Sequence, residues 1–299
     1  MEQSLISTTP TPRSVAARLI AALERSHARA CAALAALALF LFLPGFFGLP
    51  PMDRDEPRFA QASKQMLETH DFISIRFRDE ARNKKPVGIY WLQSASVAVA
   101  EALGLNAART TIWVYRIPSL VGAVSAVLLT YWAGLVWLER RYALLAAALL
   151  SATILLGVEA RLAKTDAVLT ATVAAAMGAL ARIWAMRGGT GRHSVAAPYI
   201  LWLAIALGTL VKGPITVMVV GLACLALSIK ERSAHWLRPL IDKRAIALAV
   251  MIVLPWFIAI AVETRGAFFS EAVGADMLGK VAGAREAHGA PPGAYLAAA

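Results

Sequence analysis

Asp55 and Glu56 are adjacent carboxylates in the stretch Asp53-Arg54-Asp55-Glu56-Pro57-Arg58-Phe59, which directly follows a long charge-free run. A carboxylate so placed can take the proton of an attacking hydroxyl while a new bond forms to its oxygen. Arg58, Lys84, Lys85 and Lys212 suit the opposite task. Charge builds on a phosphate leaving group in the transition state, and fixed cations stabilise it best where water is scarce. Glu56, Asp166 and His288 are candidate supporting residues. Each residue also has a plainer reading. Asp55 can cap the helix that Pro57 opens, and Glu56 can be a first-turn acid favoured by the helix dipole. Lys84 and Lys85 can bind lipid headgroups, Asp166 can be a favourable charge at a helix start, and Arg161 reads as structural. Lys212 stands apart because the apolar runs on either side leave it almost no loop, and a charge so near a bilayer core is costly and usually functional. His288, alone in a Gly/Pro-rich loop, could bind a metal or order a lid, although a lone histidine more often does neither.

The elements that position these residues are membrane helices. Hydrophobic residues make up 59% of the 299 and charged ones only 16%, with a mean hydropathy of +0.61. That is too apolar for a soluble fold of this size. Charge-free runs cover Ala30–Met52, Ile117–Leu138, Tyr142–Val158, Ala167–Ala181, Ser194–Val211, Gly213–Ile229 and Ala245–Val262. A span needs roughly 20 apolar residues. The short fourth run continues past Arg182, which can snorkel to the interface. An eighth run starts near Pro291 and ends with the chain at Ala299, as expected of a fragment of something longer. The expected organisation is a cytoplasmic tail over 1–29 and one membrane domain over 30–299, with seven complete spans and the start of an eighth. The first apolar run is too long for a signal-peptide core. Cys31 and Cys224 both fall in apolar runs, where they read as packing residues with no disulfide or metal spacing.

The net charge of +11 serves topology. With the N-terminus inside, the cytoplasmic segments are 1–29, 139–141, 182–193 and 230–244, and they hold 14 Lys/Arg against 5 Asp/Glu. The opposite side holds 16 against 14. This is the positive-inside pattern, and without a basic face carrying interleaved aromatics a nucleic-acid partner is disfavoured. The long outer loop 53–116 should contain two amphipathic helices. In the first, Phe59, Ala62 and Met66 recur at helical spacing, as in a helix lying on the bilayer surface. The second opens at Lys84-Lys85-Pro86 with a stripe of Val87, Tyr90, Trp91, Ser94, Val97 and Ala98. Its Tyr90 and Trp91 suit headgroup depth.

Three stretches of this loop together resemble the first periplasmic loop of the aminoarabinose-transferase and protein-mannosyltransferase group of GT-C glycosyltransferases. They are Asp55-Glu56-Pro57-Arg58-Phe59-Ala60, Met66-Leu67-Glu68-Thr69-His70-Asp71-Phe72 and Lys85-Pro86-Val87-Gly88-Ile89-Tyr90-Trp91-Leu92. Arg161-Leu162-Ala163-Lys164-Thr165-Asp166, Leu210-Val211-Lys212-Gly213-Pro214 and His288-Gly289-Ala290-Pro291-Pro292-Gly293 continue the resemblance from about residue 30 onward. It implies an all-α polytopic bundle in the bacterial inner membrane, acting on the periplasmic face. It also implies inverting transfer of a sugar from a polyprenyl-phosphate donor, such as undecaprenyl phosphate, to an outer-leaflet lipid of the lipid A kind or another acceptor. The family's key acid falls on Asp55, and Lys85 stands directly before its proline. No cofactor is implied. A divalent metal is disfavoured because Lys84 stands where relatives often carry a carboxylate. Two other readings are a protein O-mannosyltransferase and a transporter or flippase of polyprenyl-linked sugars. Transporters tend to carry ionisable groups mid-helix and to break helices at the midplane, whereas the charges here lie between runs.

Overall fold

A computed structural model describes residues 15–52, 54–187 and 195–272. Backbone groups inside a bilayer must bond within their own segment, so charge-free runs become helices. The described residues begin with α1 (Val15–Glu24) and α2 (His27–Phe42). Then come α3 (Glu56–Thr69), a hairpin of β1 (Arg76–Phe77) and β2 (Glu80–Ala81), and α4 (Gly88–Ala102). The bundle continues through α5 (Ile112–Gly134), α6 (Arg140–Ser151), α7 (Ile154–Glu159) and α8 (Asp166–Met186). It is completed by α9 (Ala196–Lys212), α10 (Ile215–Glu231), α11 (Lys243–Glu263) and the short α12 (Ala267–Phe269). Among the described residues three helices, α5, α8 and α11, are long and apolar enough to cross a membrane, while α2 and α9 are shorter apolar helices. The two-residue hairpin is the departure from an all-helical expectation.

Two apolar runs are not single helices. The run 30–52 is helical only as far as Phe42, because Pro44 has no N–H with which to extend the ladder. The run 142–158 breaks at Ala152-Thr153, where Thr153 adopts an extended backbone. There the Ser151 and Thr153 hydroxyls bond back to the carbonyls of Ala148 and Leu150, a competition that loosens helices. The tail assigned to 1–29 also contains α1 and the first residues of α2.

At one end of the bundle the Ala163 amide donates to Glu56 at 3.0 Å and Lys212 pairs with Asp166. Trp256 of α11 donates Nε1 to the Ile73 carbonyl at 3.1 Å, and Ser119 of α5 donates to the Lys164 carbonyl at 3.1 Å. At the other end, Arg140 donates to the Glu24 carbonyl and to His27 Nε2, and Arg187 pairs with Glu231 at 2.8 Å. Between the ends α5 and α8 touch directly. A Cβ on Gly122 would lie 2.8 Å from the Val168 Cα, a close backbone approach of the kind small residues permit in membranes.

The two loop helices are fastened to protein. The α3 stripe of Phe59, Ala62 and Met66 is buried against Ile75, Val87, Tyr90, Leu210 and Trp256, so it faces the protein and not the bilayer surface. Helix α4 begins at Gly88, four residues later than the pattern suggested, because Pro86 drives Lys85 away from helical backbone. Tyr90 is fully buried, so its ring packs on protein and not on lipid headgroups. Trp91 faces outward and donates Nε1 to the Phe72 carbonyl at 2.8 Å.

Candidate active site

The site is built on a fixed ion pair. Arg116, near the N-terminal end of α5, has no exposed surface and uses all five of its N–H groups. Two go to Glu56, Nε to Oε1 at 2.7 Å and Nη2 to Oε2 at 3.2 Å. The other three go to the carbonyls of Phe46 (3.0 Å), Leu49 (2.9 Å) and Pro50 (3.1 Å). The Glu56 carboxylate also accepts from the Met52 amide at 3.1 Å and the Ala163 amide at 3.0 Å. Glu56 is therefore more than a first-turn acid. It ties the approach to α3, helix α5 and the loop before α8 into one unit. Gln93 of α4 completes the unit, taking a hydrogen bond from Ser63 at 2.6 Å and donating to the Ala163 carbonyl at 3.1 Å.

Asp55 occupies the N-cap position of α3 but its side chain makes no capping hydrogen bond, which corrects the capping expectation. Its Oδ1 instead lies 3.5 Å from Arg58 Nη1 and 3.6 Å from Arg82 Nη2. Arg82 also donates Nε to the Tyr90 hydroxyl at 3.3 Å and lies over the Phe59 ring, 5.3 Å from its centroid. Burial pushes the Tyr90 hydroxyl up to about 12, with the Arg82 charge pulling the other way. That phenol stays protonated at neutral pH.

Lys212 ends α9 and forms an ion pair with Asp166 at the start of α8. Asp166 therefore meets a specific partner as well as the helix dipole. The segment carrying Lys85 lies against the segment carrying Lys212. A Cβ on Gly88 would come within 2.7 Å of the Leu210 carbonyl oxygen and 3.1 Å of the Val211 nitrogen, so only glycine fits this contact. Lys85 is half-buried and Lys84 is exposed. Arg161 donates to the carbonyls of Pro44, Gly157 and Leu41, a structural role. His288 lies outside the described residues, among which no three His, Cys, Asp or Glu side chains converge.

Sequence reasoning missed Arg116 and Arg82. Arg116 had a signal, since it is a single cation between the apolar stretches 112–115 and 117–138. Arg82 had none, because it sits in a charged stretch with Arg76 and Arg78. Below the site an apolar groove of about 600 Å³ runs between α4, α5, α8 and α9, lined by Leu92, Val99, Val121, Val168 and Leu207 among others.

The fold and sequence have clear relatives. ArnT from Cupriavidus metallidurans, in crystal structures of its apo state and bound to undecaprenyl phosphate, superposes with TM-scores of 0.69 and 0.68 at 21% identity. The alignments cover 81% and 83% of this chain and 43% and 44% of those chains. The undecaprenyl phosphate-alpha-4-amino-4-deoxy-L-arabinose arabinosyl transferase of Pseudomonas aeruginosa (strain UCBPP-PA14) is 31% identical over 239 residues, 77% of this chain and 41% of the relative. The enzyme of the same description from Pectobacterium carotovorum is 28% identical over 214 residues, 71% of this chain and 36% of the relative. The chain thus spans about two fifths of the length of the curated relatives it matches. Its fold is a helical membrane bundle of the GT-C type. A family model for dolichyl-phosphate-mannose-protein mannosyltransferase matches residues 84–258, more than half of the chain. The chain belongs to that family.

Proposed function

We propose that this chain is the membrane part of a glycosyltransferase that moves a sugar from a polyprenyl-phosphate donor to an outer-leaflet lipid or another periplasmic acceptor. The observation that carries this reading is the pairing of Asp55, whose carboxylate does not cap its helix, with nearby cations at one end of the bundle. Asp55 takes the acceptor proton. Lys85 and Lys212 meet the donor phosphate, with Arg58 and Lys84 contributing at longer range. Glu56 and Asp166 act through their partners Arg116 and Lys212. Inversion at the sugar carbon belongs to the same proposal and is carried over from the resemblance to the GT-C group. The apolar groove supports a lipid substrate, since it offers room for hydrocarbon beneath the charged end. The relatives' names make 4-amino-4-deoxy-arabinose the favoured sugar, a pentosyl transfer. On this reading residues 1–29 are a cytoplasmic tail, the apolar runs are inner-membrane spans, and the charged end is periplasmic.

The test is transfer by the purified full-length protein from a panel of undecaprenyl-phosphate sugars to lipid A. Transfer of aminoarabinose is the expected result, and no transfer from any polyprenyl donor would sink the reading. The family description favours one second reading, mannosyl transfer to protein hydroxyls. A polyprenyl-phosphate mannose donor with an acceptor peptide tests it in the same assay.

A further inference from the structure

We propose that Arg82 is a positioning residue for the transfer, holding Asp55 in the orientation from which it takes the acceptor proton, with Tyr90 as the anchor of that hold. The inference rests on the general-base role of Asp55.

Two guanidiniums approach Asp55 Oδ1, and they are not equivalent. The Arg58 side chain is 35% exposed and belongs to the same helical turn as Asp55, whereas the Arg82 side chain is 10% exposed and comes from the segment after β2. Three contacts fix Arg82 independently of Asp55. Its backbone N–H donates to the Ile75 carbonyl at 2.7 Å. Its Nε donates to Tyr90, and its guanidinium lies over Phe59. Tyr90 and Phe59 are in turn packed on each other, ring centroids 5.3 Å apart, within the cluster that joins α3, α4, α9 and α11. The Asp55 side chain is 40% exposed. The guanidinium is the less exposed member of the pair and is held by contacts of its own. Arginine suits this work because its planar fork presents Nε to one partner and Nη2 to another at a fixed angle. Lysine offers a single rotatable point charge and cannot serve both.

The mechanistic consequence is a split between turnover and binding. A displaced base costs rate without touching the donor phosphate, and a misplacement of about 1 Å can cost about 100-fold. In the full-length enzyme, Arg82→Met should lower kcat roughly 10- to 100-fold and leave the KM for the undecaprenyl-phosphate sugar within about twofold. Arg82→Lys should not restore kcat. Tyr90→Phe removes the acceptor for Nε while keeping the ring that packs on Phe59. It should lower kcat in the same direction and add nothing once Arg82 is gone. Each variant is read beside its thermal midpoint in detergent. Should Arg82→Met fail to fold, Tyr90→Phe alone carries the kcat test. A raised donor KM with unchanged kcat would make Arg82 a phosphate ligand and overturn the proposal, as would full rescue by Arg82→Lys. Asp55→Asn run in parallel separates the two levels. Normal turnover there removes the base itself, whereas an inactive Asp55→Asn beside a fully active Arg82→Met removes only the positioning role.

Discussion

Arg116 and Glu56 meet at two points, 60 residues apart in sequence, and neither side chain touches solvent. Taking one member away leaves the other as an uncompensated buried charge, which costs about 3–5 kcal/mol. Arg116→Met and Glu56→Leu should each lower the unfolding midpoint in detergent sharply. The double variant should be less destabilised than the sum of the two, because no lone charge remains. Single variants that melt with the parent protein would show that the pair is not a fastening.

Asp55→Asn should reduce turnover with a hydroxyl acceptor about 10²–10⁴-fold. Because the side chain does not cap α3, the thermal midpoint should stay close to that of the parent protein. Near-normal turnover would end the base assignment. A phosphate acceptor, already ionised, is expected to depend on Asp55 much less.

Lys85→Met and Lys212→Met should raise the donor KM more than the acceptor KM. The Gly88 contact links the two segments, so Gly88→Ala should weaken donor use as well, by forcing α4 away from the Leu210 carbonyl. Donor saturation on the full-length enzyme is the measurement. If both Met variants saturate normally, the lysines are interface anchors and the donor site lies elsewhere.

A reporter fused after Arg238 should remain cytoplasmic, and one inserted near Asp71 should be external, following the charge asymmetry of the loops. Asp71 in the cytoplasm would overturn the orientation and the proposed site together.

Much of this architecture was legible because the bilayer makes a simple demand. A run without charge, such as 117–138, has to become a helix, and α5 fills most of it. Local punctuation was harder to weigh. Pro44, followed directly by Gly45, was a readable stop in run 30–52, whereas Thr153 gave no comparable signal in run 142–158. Among the proposed site residues, Lys212 stood apart by its neighbours alone, whereas Asp55 and Lys85 were put forward by the family resemblance. Their surroundings could not be picked out, because Arg116 finds Glu56 and Trp256 finds Ile73 only across separations of 60 and 183 residues. Such pairings are set by which helix ends lie side by side, and no local pattern encodes that. Arg82 shows the limit well. It looks like Arg76 and Arg78 in sequence, and differs from them in reaching the Tyr90 hydroxyl.

The five acceptors of Arg116 all come from residues 46–56, which leave the ribosome before it does. The acceptors of the guanidinium are therefore already synthesised when α5 emerges. The Ala163 amide, which also binds Glu56, is made some fifty residues later. Assembly of the charged end would accordingly proceed in two stages during synthesis. An early clamp forms around Arg116, followed by closure when the turn before α8 arrives. Ribosome-bound chains stalled between those two points should already shield Arg116 from chemical labelling while still exposing the backbone around Ala163.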